Sequence, residues 1–380
     1  MPRISLLAPQ RAPDHCGMER ARDLHGLDHL RALAIMLVFV YHYGLFAHPA
    51  WIEAIGAFGW IGVDLFFVLS GYLIADQLFR SQARSGTIGL RAFYLRRAFR
   101  ILPAYGVMVA LYFLFPMLQE RATIAPLWKF VTFTLNLGLD LRQHGTFSHA
   151  WSLCVEEHFY LFLPMTLLGL QRLRVRNAGW SLVALVVAGV AWRAWAWHAG
   201  VPVELRGQQT AVWFQWIYYP TPSRLDGLLV GISIAAGMHY RRAVIDRLRL
   251  PGPLWLLSGG ALLLLAWWLT KDRYGLPGSV VIFPLVSLGF GCWLLAMLQP
   301  DFKLAGKAIW LTRHVAELAF CLYLTHKAAI HCTQEWLISD ALPVDGSGMF
   351  FCCALTSVLA AMALRFAVER PFLALRERWA

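Results

Sequence analysis

Ten separate stretches of the sequence are mainly apolar, and each is 18 to 24 residues long. A helix of about 20 apolar residues can cross the hydrocarbon core of a bilayer. Because every backbone polar group must be paired there, runs of this length indicate helices. The sequence therefore predicts an all-α, polytopic transmembrane bundle of about ten spans. These spans cover residues 27–47, 59–79, 101–118, 150–171, 180–199, 222–240, 253–270, 279–299, 315–338 and 347–369.

The composition supports a membrane protein. Of the 380 residues, 58% are hydrophobic and 15% are charged, with a mean hydropathy of +0.54. A soluble domain of this composition would expose too much apolar surface. The net charge of +12 arises from basic residues in the loops between spans, as topology requires. We therefore expect a lipid bilayer as a partner and no nucleic acid.

The distribution of Lys and Arg predicts the orientation. An even number of spans places both termini on one side, and the loops of that side carry 23 basic residues against six on the other. The positive-inside rule then makes both termini cytoplasmic. We expect a cytoplasmic tail over 1–26, a transmembrane domain over 27–369 and a cytoplasmic tail over 370–380. The apolar patch at 4–8 is too short for a signal-peptide core, so the first span is expected to be an uncleaved anchor.

Two ionisable residues lie in the first span, Arg31 near its start and His42 deep inside it. Eleven residues of helix turn about 20° beyond three full turns and rise roughly 16 Å, so the two side chains share a face. Ionisable residues within a span usually face a polar cavity and have a function. Arg31 could instead snorkel to the headgroups, and His42 could be a core histidine bonded to a neighbouring helix.

The second span carries Asp64 and Ser70. A carboxylate in this setting needs a partner, either in a structural ion pair or at a functional site. Gly59, Gly62 and Gly71 are expected to let other helices approach closely, as packing positions.

Arg97 and Arg100 precede the third span, which Pro103 opens. Arginines three residues apart on a helix share a face and could bind phosphate. Alternatively, they form a topogenic charge cluster that contacts lipid headgroups.

The segment HAWSLCVEEHFY forms the most polar entrance to any span. Ser152 and Glu156 are four residues apart and share a helical face. Glu156 is a candidate partner for an imidazole on another helix. In the alternative, Ser152 caps the helix and Glu156 favours its N-terminal dipole.

Later spans carry fewer polar residues. Arg193 lies in the fifth span, and Arg224 and Asp226 begin the sixth. An intramembrane arginine needs an anion, which Asp64, Glu156 or Asp226 could supply. His326 and Lys327 lie in the ninth span, where Lys327 could snorkel outward. The seven cysteines contain no C-x-x-C, so we expect neither a disulfide framework nor a metal site.

Seven segments together resemble the acyltransferase-3 family of membrane acyltransferases, which includes bacterial O-antigen and exopolysaccharide O-acetylases. They occur in the family's order between about 27 and 372 and are LDHLRALAIMLVFVYH, GVDLFFVLSGYLI, RRAFRILPAY, HAWSLCVEEHFY, PSRLDGLLVG, ELAFCLYLTHK and ERPF. Arg31 and His42 match its Arg-x10-His motif, and Arg97 and Arg100 match its R-x-x-R motif. The family's W-S-L-x-V-E motif is matched by Trp151, Ser152, Val155 and Glu156. His29 and His158 stand where Gly and Gln are expected.

The resemblance implies ten spans in the bacterial inner membrane and transfer of an acyl group, often acetyl, to an extracytoplasmic carbohydrate. Cytoplasmic acetyl-CoA would be the donor substrate, with no permanently bound cofactor. Because the sequence ends just after ERPF, we expect no fused SGNH domain, and a separate SGNH-type partner protein could supply one.

In the mechanism that fits both lines of reasoning, arginines bind the donor's phosphates and the thioester lies beside His42. His42 acts as general base or nucleophile, and Glu156 orients its imidazole. The expected catalytic residues are His42, Glu156 and Arg31. The expected substrate-binding residues are Arg97, Arg100, Asp64, Ser70, Trp151, Ser152, Arg224 and Asp226.

Two alternatives remain. A transporter or flippase would use the same polar residues without covalent chemistry, although the sequence shows no internal repeat. A different acyltransferase would modify a lipid-linked sugar or an amine.

Overall fold

The computed structural model describes residues 16–173, 175, 179–247, 250–299 and 306–379, with side chains at all of these except 16–25, 306–308 and 379. These ranges are helical and contain no β-strand, only isolated bridges such as Ile124–Thr146. Residues 1–15 of the predicted tail, and several of the basic loop residues, lie outside the described ranges. The helices are α1 (Cys16–Tyr43), α2 (Trp51–Gly56), α3 (Gly62–Ser85), α4 (Leu90–Leu114), α5 (Leu127–Val131), α6 (Trp151–Arg172), α7 (Gly179–Trp195), α8 (Ala211–Trp213), α9 (Asp226–Tyr240), α10 (Arg242–Arg247), α11 (Gly252–Leu269), α12 (Leu276–Met297), α13 (Gly306–Leu337), α14 (Ser347–Leu364) and α15 (Arg370–Trp379).

Seven helical segments within the described ranges are long and apolar enough to cross a membrane, which makes this a multi-pass membrane protein. They are Gly59–Ser85, Leu90–Leu114, Ser148–Arg172, Gly179–Gly200, Gly252–Asp272, Leu276–Met297 and Ser347–Arg378. The other three predicted spans coincide with α1, α9 and α13. Helix α9 has only 15 residues, whereas α1 and α13 are long but carry charged residues. The count of ten therefore stays a prediction.

Helices α3 and α9 are packed with their backbones in contact. Gly71 of α3 faces the backbone of Leu228, and Gly231 of α9 faces the backbone of Val68 and Tyr72. A Cβ atom at either glycine would overlap these backbone atoms. Small residues permit such close approach where lipid supplies no hydrophobic force between helices. The prediction that Gly71 is a packing position is confirmed.

Helix α1 packs between α3 and α13. Gly59 and Gly62 lie against the backbone carbonyls of Leu37 and Ala34 on α1, so both are also packing positions, as predicted. Apolar residues from α1, α3, α6, α9, α12 and α13 share one buried core. This arrangement holds the polar face of α1 at the centre of the bundle.

Helix α14 continues through a wider π-helical turn, Arg365–Glu369, into α15. The Arg365 guanidinium lies 3.6 Å from the buried Glu369 carboxylate within that turn. Helix α15 then packs against α4. Residues 370–379, expected to form a tail, are therefore helical and reach the arginine-bearing part of α4.

Candidate active site

A large basic cavity lies between α1, α3, α4, α6, α13 and α15. Its volume is about 870 Å³. Three carboxylates and seven arginines line it, so its walls carry a strong formal excess of positive charge. A wall of this sign attracts anionic ligands, and guanidinium groups suit phosphate. The arginines are Arg31, Arg80, Arg84, Arg96, Arg97, Arg100 and Arg376.

Arg31 contributes to this cavity from the first part of α1. Its guanidinium donates a 3.0 Å hydrogen bond to Asp28, one turn earlier on the same helix. The side chain remains 26% exposed and lines the cavity. An intrahelical pair of this kind fixes the guanidinium while leaving donors for a ligand.

Helix α4 supplies Arg97 and Arg100 to the same cavity. Arg97 donates to the Gln77 side chain at 3.3 Å, and its guanidinium carbon lies 5.2 Å from the centre of the Tyr160 ring. The Nε atom of Arg96 is buried and has no hydrogen-bond partner within the described part of the chain. An unpaired buried donor is costly, so this nitrogen is a candidate partner for a ligand oxygen.

Three histidines form a cluster beyond the inner end of the cavity. His42, at the end of α1, and His326, on α13, lie 2.9 Å apart between Nδ1 and Nε2. The His149 ring lies 5.7 Å from the His42 ring and 5.0 Å from the His326 ring, between centroids. All three are buried. The packing of α1 on α13 brings this cluster together.

Tyr323 connects the cavity and the histidine cluster. It lines the cavity, and its ring centroid lies 5.4 Å from that of His149 and 6.0 Å from that of His326. Its hydroxyl donates to the His149 carbonyl and accepts from Ser152, both at 2.6 Å. His42 is not among the described residues that line the cavity. Tyr323 therefore lies between the basic cavity and the imidazoles.

The cluster lies beside a buried ion pair. Lys327 follows His326 on α13, and its Nζ is 2.7 Å from Oε1 of Glu120. The same carboxylate oxygen accepts the backbone N–H of Phe147, which adopts a left-handed conformation with φ of 51°. The pair thus ties α13 to the segment that leads into α6 and carries His149. Lys327 does not snorkel outward, because this carboxylate neutralises it inside the protein.

Comparison with known proteins gives the family. A family model described as an acyltransferase domain, that of the acyltransferase-3 family, matches residues 24–366. The chain belongs to the acyltransferase-3 family. The motifs that indicated it, from Arg31 on α1 to ERPF at the start of α15, are all in described residues.

Two relatives from Staphylococcus aureus illustrate the similarity. "Putative O-acetyltransferase SACOL0978" of strain COL is 26% identical over 390 residues. "O-acetyltransferase OatA" of strain NCTC 8325 / PS 47 is 25% identical over 378 residues. Each alignment covers 93% of this chain and 58% of the relative, so the chain spans little more than half the length of these proteins. No solved structure matches the chain.

In this acyltransferase-3 member, six of the predicted site residues lie along the cavity. They are Arg31, Ser70, Arg97, Arg100, Ser152 and Glu156. The Glu156 carboxylate accepts 2.8 Å hydrogen bonds from Ser70 on one oxygen and from Tyr160 on the other. The predicted contact between Glu156 and His42 is wrong. Both oxygens of Glu156 are directed to donors in the cavity wall, and the neighbour of His42 is His326.

Four other predicted residues lie away from this cavity. Arg224 donates to Asp64 at 2.9 Å, and Arg193 donates to Asp226 at 2.6 Å, with all four side chains buried. Of the three anions that the sequence offered to these arginines, Asp64 and Asp226 are the partners in the structure and Glu156 is not. Trp151 packs over the Arg224 guanidinium at 5.5 Å. A role for Asp64, Trp151, Arg224 and Asp226 in substrate binding stays a prediction.

Several residues of the site were not among the predicted ones. Tyr323 and Glu120 were missed because neither is unusual alone, and their roles depend on contacts between distant segments. Arg376 lies in the segment that the sequence predicts to be a tail. His326 is a polar residue within a predicted span, and its position one residue before Lys327 is the available signal. Ser152 does not cap α6 with its side chain, and its hydroxyl contacts Tyr323 instead.

Proposed function

We propose that this protein is a membrane O-acyltransferase that moves an acyl group, chiefly acetyl, from cytoplasmic acyl-CoA to a hydroxyl of an extracytoplasmic carbohydrate. The observation that carries the proposal is the cavity of seven arginines that ends at Tyr323, whose ring contacts the histidine cluster. A site for a polyanion and a candidate base thus adjoin each other within one bundle.

The donor fits the basic cavity. Coenzyme A carries a diphosphate and a further phosphate at one end and an acyl thioester at the other. Planar guanidinium groups such as those of Arg97 and Arg100 bind phosphate through paired hydrogen bonds. The phosphates would lie among the arginines and the pantetheine arm would extend toward Ser152 and Tyr323. The donor is a substrate, with no permanently bound cofactor.

His42 supplies the reactive group. As general base, its imidazole takes the proton of the acceptor hydroxyl while the oxygen bonds to the acyl carbon and the carbon–sulfur bond breaks. The proton then passes to the thiolate of coenzyme A. As nucleophile, the imidazole itself forms the bond to the acyl carbon while the carbon–sulfur bond breaks and coenzyme A leaves as its thiolate. The hydroxyl oxygen then takes the acyl group as the carbon–nitrogen bond breaks, and the hydroxyl proton passes to the thiolate. Both routes need a neutral His42 with a free nitrogen.

The topology is part of the proposal. Ten spans, with α1, α9 and α13 included, would place both termini in the cytoplasm of a bacterial inner membrane. The arginine cavity, at the end of α3 and start of α4, would then open to cytoplasmic acyl-CoA. His42 would lie nearer the outer face, where a carbohydrate such as O-antigen or exopolysaccharide approaches.

The acceptor is proposed as an oxygen nucleophile because the two S. aureus relatives are named as O-acetyltransferases. Those proteins extend well beyond the region matched here. We therefore include a separate SGNH-type protein among the proposed partners, as the component that would receive the acyl group on the outer side and complete its transfer to the carbohydrate.

The test is a transfer assay in sealed proteoliposomes. Radiolabelled acetyl-CoA is supplied on the side of the arginine cavity and candidate glycans on the other side, with wild-type protein, a His42→Ala variant and a His314→Ala variant. His314 is an exposed histidine on α13 and serves as the matched control. We expect labelled glycan, or labelled protein, that disappears only with His42→Ala.

Two outcomes would contradict the proposal. An equal loss of transfer in His314→Ala would remove the assignment of His42. Passage of intact glycan across the bilayer without any label, whatever donor is supplied, would instead show a transporter.

A further inference from the structure

The hydrogen bonds of His326 fix the arrangement of protons on two imidazole rings. His326 Nδ1 lies 2.9 Å from the backbone carbonyl of Leu322, one turn earlier on α13. Its Nε2 lies 2.9 Å from Nδ1 of His42. The rings of His42 and His326 are 4.9 Å apart between centroids. A chain of contacts therefore runs from a main-chain carbonyl, through one imidazole, to the next.

This chain permits one arrangement of protons in the neutral rings. A carbonyl oxygen only accepts hydrogen bonds, so Nδ1 of His326 carries the proton. A neutral imidazole has a single N–H, which leaves Nε2 of His326 as an acceptor. Nδ1 of His42 must then be the donor in the contact between the rings. The unprotonated nitrogen of His42 is consequently Nε2.

The surroundings keep both rings neutral. His42 and His326 are buried, and neither makes a hydrogen bond to a carboxylate within the described residues. Glu120, the acidic residue of the neighbouring ion pair, is already paired with Lys327. Lys327 is itself a cation next to His326 in sequence. A buried imidazolium without a counter-ion, beside a lysine, would be strongly disfavoured.

We infer that His326 is a positioning residue that selects the Nδ1–H tautomer of His42 and thereby presents Nε2 of His42 as the reacting nitrogen. The inference rests on the proposed function, in which His42 is the base or nucleophile. His326 does for His42 what a buried carboxylate does in a hydrolase triad, but with a neutral ring whose own tautomer is set by the main chain.

The same contact assists the reaction step. When Nε2 of His42 takes the hydroxyl proton, or forms a bond to the acyl carbon, the His42 ring becomes positively charged. The lone pair on Nε2 of His326 then accepts a stronger hydrogen bond from Nδ1–H, because bonds from a charged donor are stronger than neutral ones. As the proton or acyl group leaves Nε2, the ring returns to its neutral tautomer. No proton needs to move between the two histidines.

The experiment compares two substitutions of His326. His326→Gln keeps an amide oxygen that can accept a hydrogen bond from Nδ1 of His42. His326→Leu introduces a side chain of similar size that is apolar and has no acceptor. His314→Ala on the same helix is the matched control. Each protein, in lipid nanodiscs, is labelled with ¹⁵N at histidine, and solid-state NMR reports which nitrogen of each ring is protonated. The His42 signals are assigned from a His42→Ala sample.

The expected results separate a positioning role from a structural one. Wild type, His314→Ala and His326→Gln should show His42 protonated at Nδ1, and His326→Leu should show both tautomers. For acetyl transfer, His326→Leu should lower kcat at least about ten-fold, the equivalent of one lost hydrogen bond, with an unchanged KM for acetyl-CoA. His326→Gln should recover most of that loss.

A His42 ring protonated at Nε2 in the wild type would overturn the inference, as would wild-type kcat and a single tautomer in His326→Leu. The NMR measurement does not depend on activity. If the wild type transfers no acyl group but shows the Nδ1–H tautomer, the proposed function fails while the tautomer assignment stands. If His326→Leu misfolds, the signals of the other histidines will be lost. The His42 tautomer in His326→Gln then tests the inference, and protonation of His42 at Nε2 in that variant would overturn it.

Discussion

Lys327 and Glu120 form an ion pair with 2.7 Å between Nζ and Oε1, in which neither side chain is more than 6% exposed. Their positions in sequence are far apart, and the pair joins α13 to the segment that precedes α6. Each of these buried charges is tolerated only because the other neutralises it, and removal of either one leaves an uncompensated buried charge.

Replacing one member of this pair should therefore lower the free energy of unfolding more than replacing both. We expect Lys327→Met to lower the free energy of unfolding by about 3–5 kcal/mol, since Glu120 would remain as an unpaired carboxylate. Adding Glu120→Gln should recover a large part of this loss, because the amide is neutral and keeps an oxygen for the Phe147 N–H. Unfolding in mixed micelles measures both. A double variant less stable than Lys327→Met would contradict this account.

The basic cavity is the proposed binding site of acetyl-CoA, and this proposal predicts the effect of losing one of its arginines. Arg97→Ala should raise the KM for acetyl-CoA about ten- to hundred-fold, because hydrogen bonds to a charged group contribute about 1.5–3 kcal/mol. Steady-state kinetics with acetyl-CoA and with its dephospho analogue show which phosphate is involved. Arg142→Ala, an exposed arginine paired with Asp140 outside the cavity, is the control and should leave KM unchanged. Equal effects of the two substitutions would exclude a phosphate-binding role for Arg97.

Glu156 should act through the cavity wall and not through His42. In Glu156→Gln, Tyr160 loses a carboxylate acceptor, and the Arg97 guanidinium above its ring loses a fixed support. We expect the KM for acetyl-CoA to rise by up to about ten-fold, less than in Arg97→Ala, because Glu156 acts on the ligand only through Arg97. Tyr160→Phe should reproduce that rise. The tautomer of His42, measured by NMR, should be the same as in wild type. A changed tautomer would instead support a contact between Glu156 and His42.

The contact between α3 and α9 predicts a sharp difference between two glycines. Gly231→Ala places a Cβ against the backbone of Val68 and Tyr72 and should lower the free energy of unfolding by about 1–3 kcal/mol. Gly260→Ala on α11 meets no atom within 4 Å and should be neutral or stabilising by about 0.5–1 kcal/mol. The same unfolding assay compares them. Similar free energies of unfolding for the two variants would show that α3 and α9 can move apart at no energetic cost.

The parts of the fold that depend on one helix were predictable from the sequence. Helical periodicity placed Arg31 and His42 on one face of α1, and the glycines of α3 indicated close packing before any contact was known. The need of a buried charge for a counter-charge predicted that Arg193 and Arg224 would each contact a carboxylate, with Asp64, Glu156 and Asp226 as the candidates.

The parts that depend on two or more helices were not predictable. Periodicity shows which side of a helix is polar, but not which other helix lies opposite. Glu156 was the predicted neighbour of His42, whereas the packing of α1 on α13 brings His326 there instead. Glu120 lies in a loop with no pattern of its own, so nothing in the sequence connected it with Lys327. Three helices at predicted spans do not meet the criteria for a membrane span. Helix α9 is too short, whereas α1 and α13 are not apolar enough because residues of the site replace apolar ones there.

The residues that line the cavity range from Leu27 on α1 to Glu377 on α15, so they come from nearly the whole length of the described chain. During synthesis, the first of these helices leaves the ribosome long before the last. The wall of the cavity is therefore incomplete until α15 has been made and has packed against α4. The proposed donor site is thus one of the last parts of the described chain to be completed, well after His42 and His326 have been made.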